Sequence, residues 1–424
     1  MQGTLTQKLL AKAAGREAVQ PGEIVHIEPD LVMTHDHQGP MTLCEFNQMG
    51  IKKVWNPEKI VIVLDHRTPT QSTIAAQNHQ LLRKFAKDQG ITRFFDVGEG
   101  ICHDILAEKG FVQPGKLIVA TDSHTVTAGA IGAFATGIGS SEMAAVWARG
   151  KLWLRVPETI KVILTGKPPA FVGGKDVALK LLQVLTTDGA TYKAVEFHGD
   201  GLRYLNMDER MTLCNMCLEM GAKNAIIPPD EVTEDFLKEK EITDYEVITP
   251  DKNAEYSRVI EINLLDLEPL VAKPYSPDNV AAAKEVEEEN VVINQAIIGT
   301  CTNGRMTDMR LAAKILEGKK VKPGVRFLIV PATKKVYLQA VKEGLVEIFT
   351  NAGAMVGVPC CGPCGAYGMG AMADDEVCIT AGSRNFVGRL GAPEARIYLG
   401  NSATVAASAV AGKVIDPRSM MGGV

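Results

Sequence analysis

The sequence predicts an α/β fold with largely parallel sheets, and three observations carry that expectation. Short continuous runs of β-branched and leucine residues recur along the chain: KIVIVLDH (59–66), KLIVATDSHT (116–125), NQAIIGTCTNGR (294–305) and VRFLIVPAT (325–333). Unbroken apolar runs suit parallel strands covered by helices on both faces, whereas strands with one wet face alternate. Amphipathic segments lie between them, TIAAQNHQLLRKFAKDQG (73–90) and TDMRLAAKILEG (307–318), each closed by a glycine that stops a helix. The third observation is where the polar residues fall. Asp65-His66, Asp122-Ser123-His124, Cys301 and Ser383-Arg384 stand just beyond apolar runs, where ligands bind in sheets of this class.

In chain order, the N-terminal MQGTLTQKLLAKAAGREAV has neither an apolar signal-peptide core nor a cleavage site, so a cytoplasmic protein is expected. FFDVGEGICHDIL reads as a strand, a glycine turn and a helix opened by His103. GAIGAFATGIGSSE is not a dinucleotide fingerprint, because Glu142 stands at the third glycine position. Its glycines are expected to permit close helix approach, with GSSEMAAVWA as a capped buried helix. RVPETIKVILTG starts a new strand after a proline and sets a boundary near 157. Residues 231–290 are rich in Glu, Asp, Lys and Pro. Their later part is expected to be a surface linker with a solvated charged helix, which sets a second boundary near 288. The expected domains are therefore 1–157, 158–288 and 289–424.

At 424 residues, with 46% hydrophobic and 22% charged residues, the chain can bury a substantial core. Its net charge of −5 and the absence of a basic stripe argue against nucleic acid as partner. No run of about 18 apolar residues exists to span a membrane. All eight histidines lie at or before His198, and the densest cysteine group lies in the second half. A site using both has to join the two halves.

Nine cysteines are too few for a disulfide scaffold in a chain of this length. Cys361-Gly-Pro-Cys364 is a C-x-x-C in a Gly/Pro loop behind Cys360, and Cys301 ends an apolar run. Three thiolates (Cys301, Cys361, Cys364) suit a cubane cluster with one iron left without cysteine, which favours Lewis-acid chemistry over electron transfer. A redox C-x-x-C and buried thiols are the other readings of the same spacing. Cys214-Asn-Met-Cys217 lies in a helical pattern and reads as helix core. Cys44, Cys102 and Cys378 are expected to be buried packing residues, and Cys360 a neighbour of the cluster.

VLDH, GEGICHDIL, ATDSHTVTAGAIGAFATGIGSSEMA, CNMCLEMGA, GTCTNGR, CCGPCG and SRNFVGRLG occur in one order. That order resembles the aconitase superfamily, in the branch formed by the large subunits of 3-isopropylmalate dehydratase and homoaconitase. The resemblance runs from about residue 5 to the C-terminus. It implies a three-domain aconitase-like α/β/α architecture and a 4Fe–4S hydro-lyase that removes water from a hydroxy-di- or tricarboxylic acid and returns it to the neighbouring carbon. By motif, it implies that Cys301, Cys361 and Cys364 hold the cluster. Asp65 with His66, His103 with Asp122, and His124 with Glu219 become acid–base pairs. Asn215, Asn303 and Ser383 become cluster neighbours; His35, Ser123, Arg384 and Arg389 become substrate contacts. His26, His79 and His198 have no motif support and are expected to be surface or packing residues.

Two positions depart from the family pattern. Ser383 stands where relatives usually have Asn, and Gly365-Ala366-Tyr367 stands where they mostly have a larger apolar residue and then Gly. By the resemblance, the mobile C-terminal swivel domain of single-chain relatives is expected on a separate small subunit, giving a heterodimer and an isolated chain with little or no activity. The expected substrate is 3-isopropylmalate in leucine biosynthesis, with homoaconitase and dimethylmalate-type dehydratase as alternatives. Two other classes stay open: a cluster-free RNA-binding protein, and a zinc-stabilised or redox protein using Cys214, Cys217, Cys361 and Cys364.

Overall fold

The computed structural model describes residues 3–420. The apolar runs form strands of three mainly parallel sheets. In the first, five parallel strands lie in the order Arg93–Phe95, Ile60–Val63, Leu31–His35, Leu117–Ala120, Phe134–Gly137. The second has four parallel strands, Asn224–Ile226, Ala194–His198, Thr159–Thr165 and Arg258–Asn263. The third has seven, of which Arg396–Leu399, Val377–Thr380, Gln295–Ile298, Arg326–Ile329 and Met355–Val356 run parallel. All four residues of Ile60–Val63 and of Leu117–Ala120 are buried, as two-sided cover requires. A small antiparallel pair, Ile24–Ile27 with Leu152–Arg155, completes the strands. The structural neighbour described below shows the fold to be aconitase-like.

The helices follow their capping chemistry. Thr73–Gln89 starts at Ser72, whose hydroxyl accepts from Ala75 N, and stops at Gly90 in the left-handed conformation. Ser140–Arg149 starts with Glu142 accepting from Gly139 N at 2.8 Å.

The expected linker is different in the structure. Residues Leu270–Ala272 and Val280–Ala282 are strands at the edge of the third sheet, antiparallel to each other, and the first of them pairs with Arg396–Leu399. Both strands are apolar, Leu-Val-Ala and Val-Ala-Ala, but at three residues each they are too short to show a period among the Lys, Pro, Ser, Asp and Asn between them. The charged helix Ala283–Glu288 does present its acids outward, burying only Ala283 and Val286. Cys44 is exposed rather than buried, and it stands on the outer face of helix Gly39–Gln48.

Two close approaches bring the sheets together. A Cβ on Gly129 would lie 1.6 Å from the Ala225 carbonyl oxygen, so only glycine lets the Ser123–Ile131 segment cross strand Asn224–Ile226. The approach expected for that glycine-rich stretch is thus to a strand, sealed by Ile227 N donating to Gly129 O at 3.0 Å. Gly100, at φ +136°, would meet Ala332 O at 2.7 Å, and Ile101 N bonds the same oxygen at 2.8 Å. This second contact fixes the His103 helix to the third sheet.

Candidate functional site

The strand ends of the first and third sheets meet at a cavity of about 220 Å³. It is lined by His35, His37, Gln38, His66, Thr121, Asp122, Ser123, His124, Cys301, Cys361, Cys364, Tyr367, Arg384 and Arg389. The histidine-rich first half and the cysteine-rich second half are therefore joined. A larger cavity, about 440 Å³, lies behind the Cys301 loop, where four helix N-termini converge. Four of its polar residues cap those helices: Asp176 accepts from Gly173 N, Glu209 from Asn206 N, Asp308 from Gly304 N and Arg305 N, and Asn401 from Thr404 N.

Asp122 is the hub of the smaller cavity. Its Oδ1 faces His103 Nε2 at 3.0 Å and accepts from His124 N at 2.7 Å. Its Oδ2 lies 3.2 Å from His66 Nε2 and 3.6 Å from His35 Nε2. Burial opposes ionisation of Asp122, but the facing His103, with His124 and His66, holds its carboxyl well below the usual range. The other two expected pairs also form. His66 Nδ1 is 2.7 Å from Asp65 Oδ1, and His124 Nε2 is 2.8 Å from Glu219 Oε1.

These pairs set the protonation of the rings. Burial lowers the affinity of His66 for its second proton, yet Asp65 and Asp122 overcome this and raise it well above the ordinary value. His103 is raised by Asp122 against the same burial. His124 is raised to about 10, because the Cys301 thiolate, Asp122 and Glu219 outweigh burial and Arg384. His35, stacked on the His66 ring at 3.9 Å, is pushed down to about 4 by burial and by that neighbour. His37 is lowered as well, by burial and by Arg67, so rings that favour the charged form stand beside two, His35 and His37, that favour the neutral one.

Arg384 donates through Nε to Glu219 Oε1 at 2.9 Å and through Nη2 to Ser123 Oγ at 3.3 Å. Arg389 Nη2 donates to Cys364 Sγ at 2.9 Å. Buried Lys175 bonds the carbonyls of Ala381 and Gly382, fixing the turn that presents Ser383 and Arg384.

The three cysteines expected to act together form their own cluster with Ile101 and Ala332, whereas Cys214 and Cys217 are packed in the core between the first and second sheets. The two C-x-x-C pairs are not brought together. Within the trio the thiols share protons. Cys361 is raised well above its ordinary value by Cys301 and Cys364, while Cys301 is lowered by Cys361 against burial, helped by His124 and His103. Cys364 is lowered to about 6 by Cys361, against burial, and by Arg389. The Cys301 loop is held by Arg305, which donates to Asp104 Oδ1 at 2.6 Å, Cys301 O at 2.8 Å and Thr302 O at 3.0 Å. Asn215 reaches the same loop, with Nδ2 3.3 Å from Cys301 O. Asn303 instead bonds Asp308 at 2.6 Å and lines the larger cavity. Ser383 is fully buried, with its hydroxyl unpartnered.

Sequence reasoning missed a brace beneath the site. Asp36 Oδ1 accepts from Asp65 N at 3.2 Å and His66 N at 2.8 Å, and Oδ2 accepts from Arg67 N at 2.8 Å. His79 Nε2 lies 2.8 Å from Oδ2, so this histidine is a packing residue with a defined partner. It also missed His37, Gln38 and Tyr367 in the lining. The HDH spacing at 35–37 was the available signal, since His35 and His37 flank Asp36 where the strand has ended.

Comparison with known proteins agrees with this geometry. The model of the aconitase family (aconitate hydratase) matches residues 7–412. The 3-isopropylmalate dehydratase large subunit 1 of Methanopyrus kandleri is 48% identical over 418 residues, 99% of each chain. The 3-isopropylmalate dehydratase large subunit of Caldicellulosiruptor bescii is 47% identical, over 98% of this chain and 97% of its own. The crystal structure of Thermococcus kodakaraensis aconitase X superposes with a TM-score of 0.51, covering 90% of each chain at 14% identity, which speaks to fold alone. With the family model matched across nearly the whole chain and these relatives aligned end to end, the chain belongs to the aconitase family.

Proposed function

We propose that the chain is the large subunit of an iron–sulfur hydro-lyase acting on a hydroxy-dicarboxylic acid, with 3-isopropylmalate as substrate in leucine biosynthesis. The observation that carries this reading is Asp122, one carboxylate serving His66, His103 and His124 beside three clustered thiols and two arginines. The residues fit a 4Fe–4S cluster. Cys361 is hydrogen-bonded to both Cys301 and Cys364, so the three sulfurs converge on one side of the cavity. Ser383 Oγ and Arg389 Nε are buried without partners, as donors awaiting an anionic sulfur cage would be. Cys301, Cys361 and Cys364 would hold the cluster, which when bound supplies a Lewis acid at the iron lacking cysteine.

The chain's own residues do the rest. Arg384 and Arg389 grip substrate carboxylates in two-point fashion and orient the carbon that loses its proton. Positive charge there stabilises the carbanion character that develops beside a carboxylate. Protonated His66 and His124, which line the cavity, donate a proton to the departing hydroxyl, His103 supports them through Asp122, and the carboxylate partners orient each ring. Neutral His35 accepts from His37 N through Nδ1, which leaves its proton on Nε2, toward Asp122 Oδ2. The relatives' names as large subunits support a separate small subunit that completes the site. Exposed Phe386 and Val387, between the two arginines in sequence, give it an apolar contact. Three domains divide the work, 1–157, 158–288 and 289–424, with the strands Leu270–Ala272 and Val280–Ala282 adding to the sheet of the third.

The test is anaerobic purification of the chain with and without the small subunit, followed by iron, zinc and sulfide analysis and turnover of 3-isopropylmalate. Three to four irons with matching sulfide, and turnover by the complex, are expected. One zinc without sulfide, or full turnover by the chain alone, contradicts the reading.

A further inference from the structure

The substituent that distinguishes one hydroxy acid from another needs a surface of its own. Among the described residues lining the site cavity no aliphatic side chain is present, and Tyr367 supplies the one phenol ring. The ring is held in place. After the short turn Gly362–Gly365, Ala366 adopts the left-handed conformation at φ +56°, and Tyr367 N bonds Gly362 O at 2.9 Å. This folds the ring back over Gly365, where a Cβ would lie 2.8 Å from ring carbons. The Arg67 guanidinium sits 4.2 Å from the ring centroid, and the His37 imidazole stacks on it at 5.5 Å. Arg67 is itself tied down, with its amide on Asp36 and Nη2 3.2 Å from His37 Nδ1.

We propose that Tyr367, braced by Arg67 and His37, is the residue of this chain that selects the substrate's carbon substituent, favouring a short branched alkyl group over a methyl group or a carboxylate-bearing arm. The inference rests on the hydro-lyase reading. A branched alkyl group removes more apolar area from water against the ring than a methyl group does. A carboxylate gains nothing from the ring itself, and Arg67, seated on the ring and bonded to His37, is not among the residues lining the cavity to pair with it. Each methylene difference in an apolar pocket discriminates by roughly 10–200-fold. A left-handed non-glycine residue immediately before the ring is the kind of strained backbone that persists where placement matters.

The experiment uses the complex with the small subunit, loaded with its cluster. It measures kcat/KM for isopropyl-, methyl- and carboxymethyl-substituted malates and, by calorimetry, binding of the matching substituted succinates, which have no hydroxyl to lose. Tyr367→Phe keeps the ranking. Tyr367→Ala lowers the isopropyl-to-methyl preference by about tenfold or more, in turnover and in binding, with iron and sulfide content unchanged. Arg67→Met falls between the two. Equal loss on all three substrates in Tyr367→Ala, or preference of the wild-type complex for the carboxymethyl compound, overturns the proposal while leaving the hydro-lyase reading intact. A loaded wild-type complex that neither turns over nor binds any of the series overturns both.

Discussion

Arg305 and Asp104 form a buried pair, with side chains 4% and 5% exposed, and the same guanidinium carries the carbonyls of Cys301 and Thr302. Replacing Arg305 with Met leaves the carboxylate buried without its partner and two carbonyls without a donor. Breaking a buried pair from one side costs about 3–5 kcal/mol. At about 2.1 cal/mol/K of unfolding entropy per residue, a chain of 424 residues melting as one unit loses roughly 3–6 °C. Asp104 also changes its protonation. Burial already raises it to about 6 with Arg305 opposing, so without the guanidinium it rises further and stays protonated at neutral pH. The double substitution Arg305→Met with Asp104→Asn removes the need for that proton uptake, and it is expected to recover about half of the loss. The assay is thermal unfolding of wild type, both single variants and the double variant, with iron retention after anaerobic dialysis measured in parallel. Because Arg305 holds the Cys301 carbonyl, the single variant releases iron faster than wild type. A Tm within 1 °C of wild type together with equal iron retention would refute the reasoning.

Two further outcomes follow from buried carboxylates. Asp36→Asn replaces two charged acceptor oxygens with one neutral oxygen, beneath the Asp65–His66 pair. A lost charge-assisted bond is worth about 1.5–3 kcal/mol, so kcat of the complex falls by about 10–100-fold with KM little changed; kcat within twofold of wild type counts against the brace. Glu209 is raised to about 7 by burial, so the folded chain binds a proton that the unfolded chain has released. Its contribution to stability is full below the ordinary glutamate range and is lost as pH rises through about 7. Glu209→Gln flattens this pH dependence and stabilises the chain relative to wild type at pH above about 7. A wild-type-like slope in the variant would show that another group sets it.

Much of this protein is legible one residue at a time. The apolar runs at 59–66, 116–125, 294–305 and 325–333 become parallel strands because β-branched and leucine side chains buried on both faces leave little alternative. The polar residues just past them reach the site, because a strand's end is where the chain leaves the sheet and side chains become free to serve a ligand. Cys301 and Cys361-x-x-Cys364 were likewise visible, since thiols in Gly/Pro turns have little to gain from packing. What the sequence by itself could not decide is any property set by a distant partner. The stretch 270–282 looked like a linker because its two apolar strands are three residues each, split by KPYSPDN, and only their hydrogen bonds to Arg396–Leu399 and to each other make them strands. Asn303 turned to Asp308 because a buried amide takes the nearest charged acceptor the fold offers. Asp36, Arg67 and Tyr367 stand at separate places in the chain, and only the fold stacks them. Local propensity and periodicity therefore determine elements and their ends, while burial, charge pairing and close backbone approach, all many residues apart in sequence, decide which of those ends face one another.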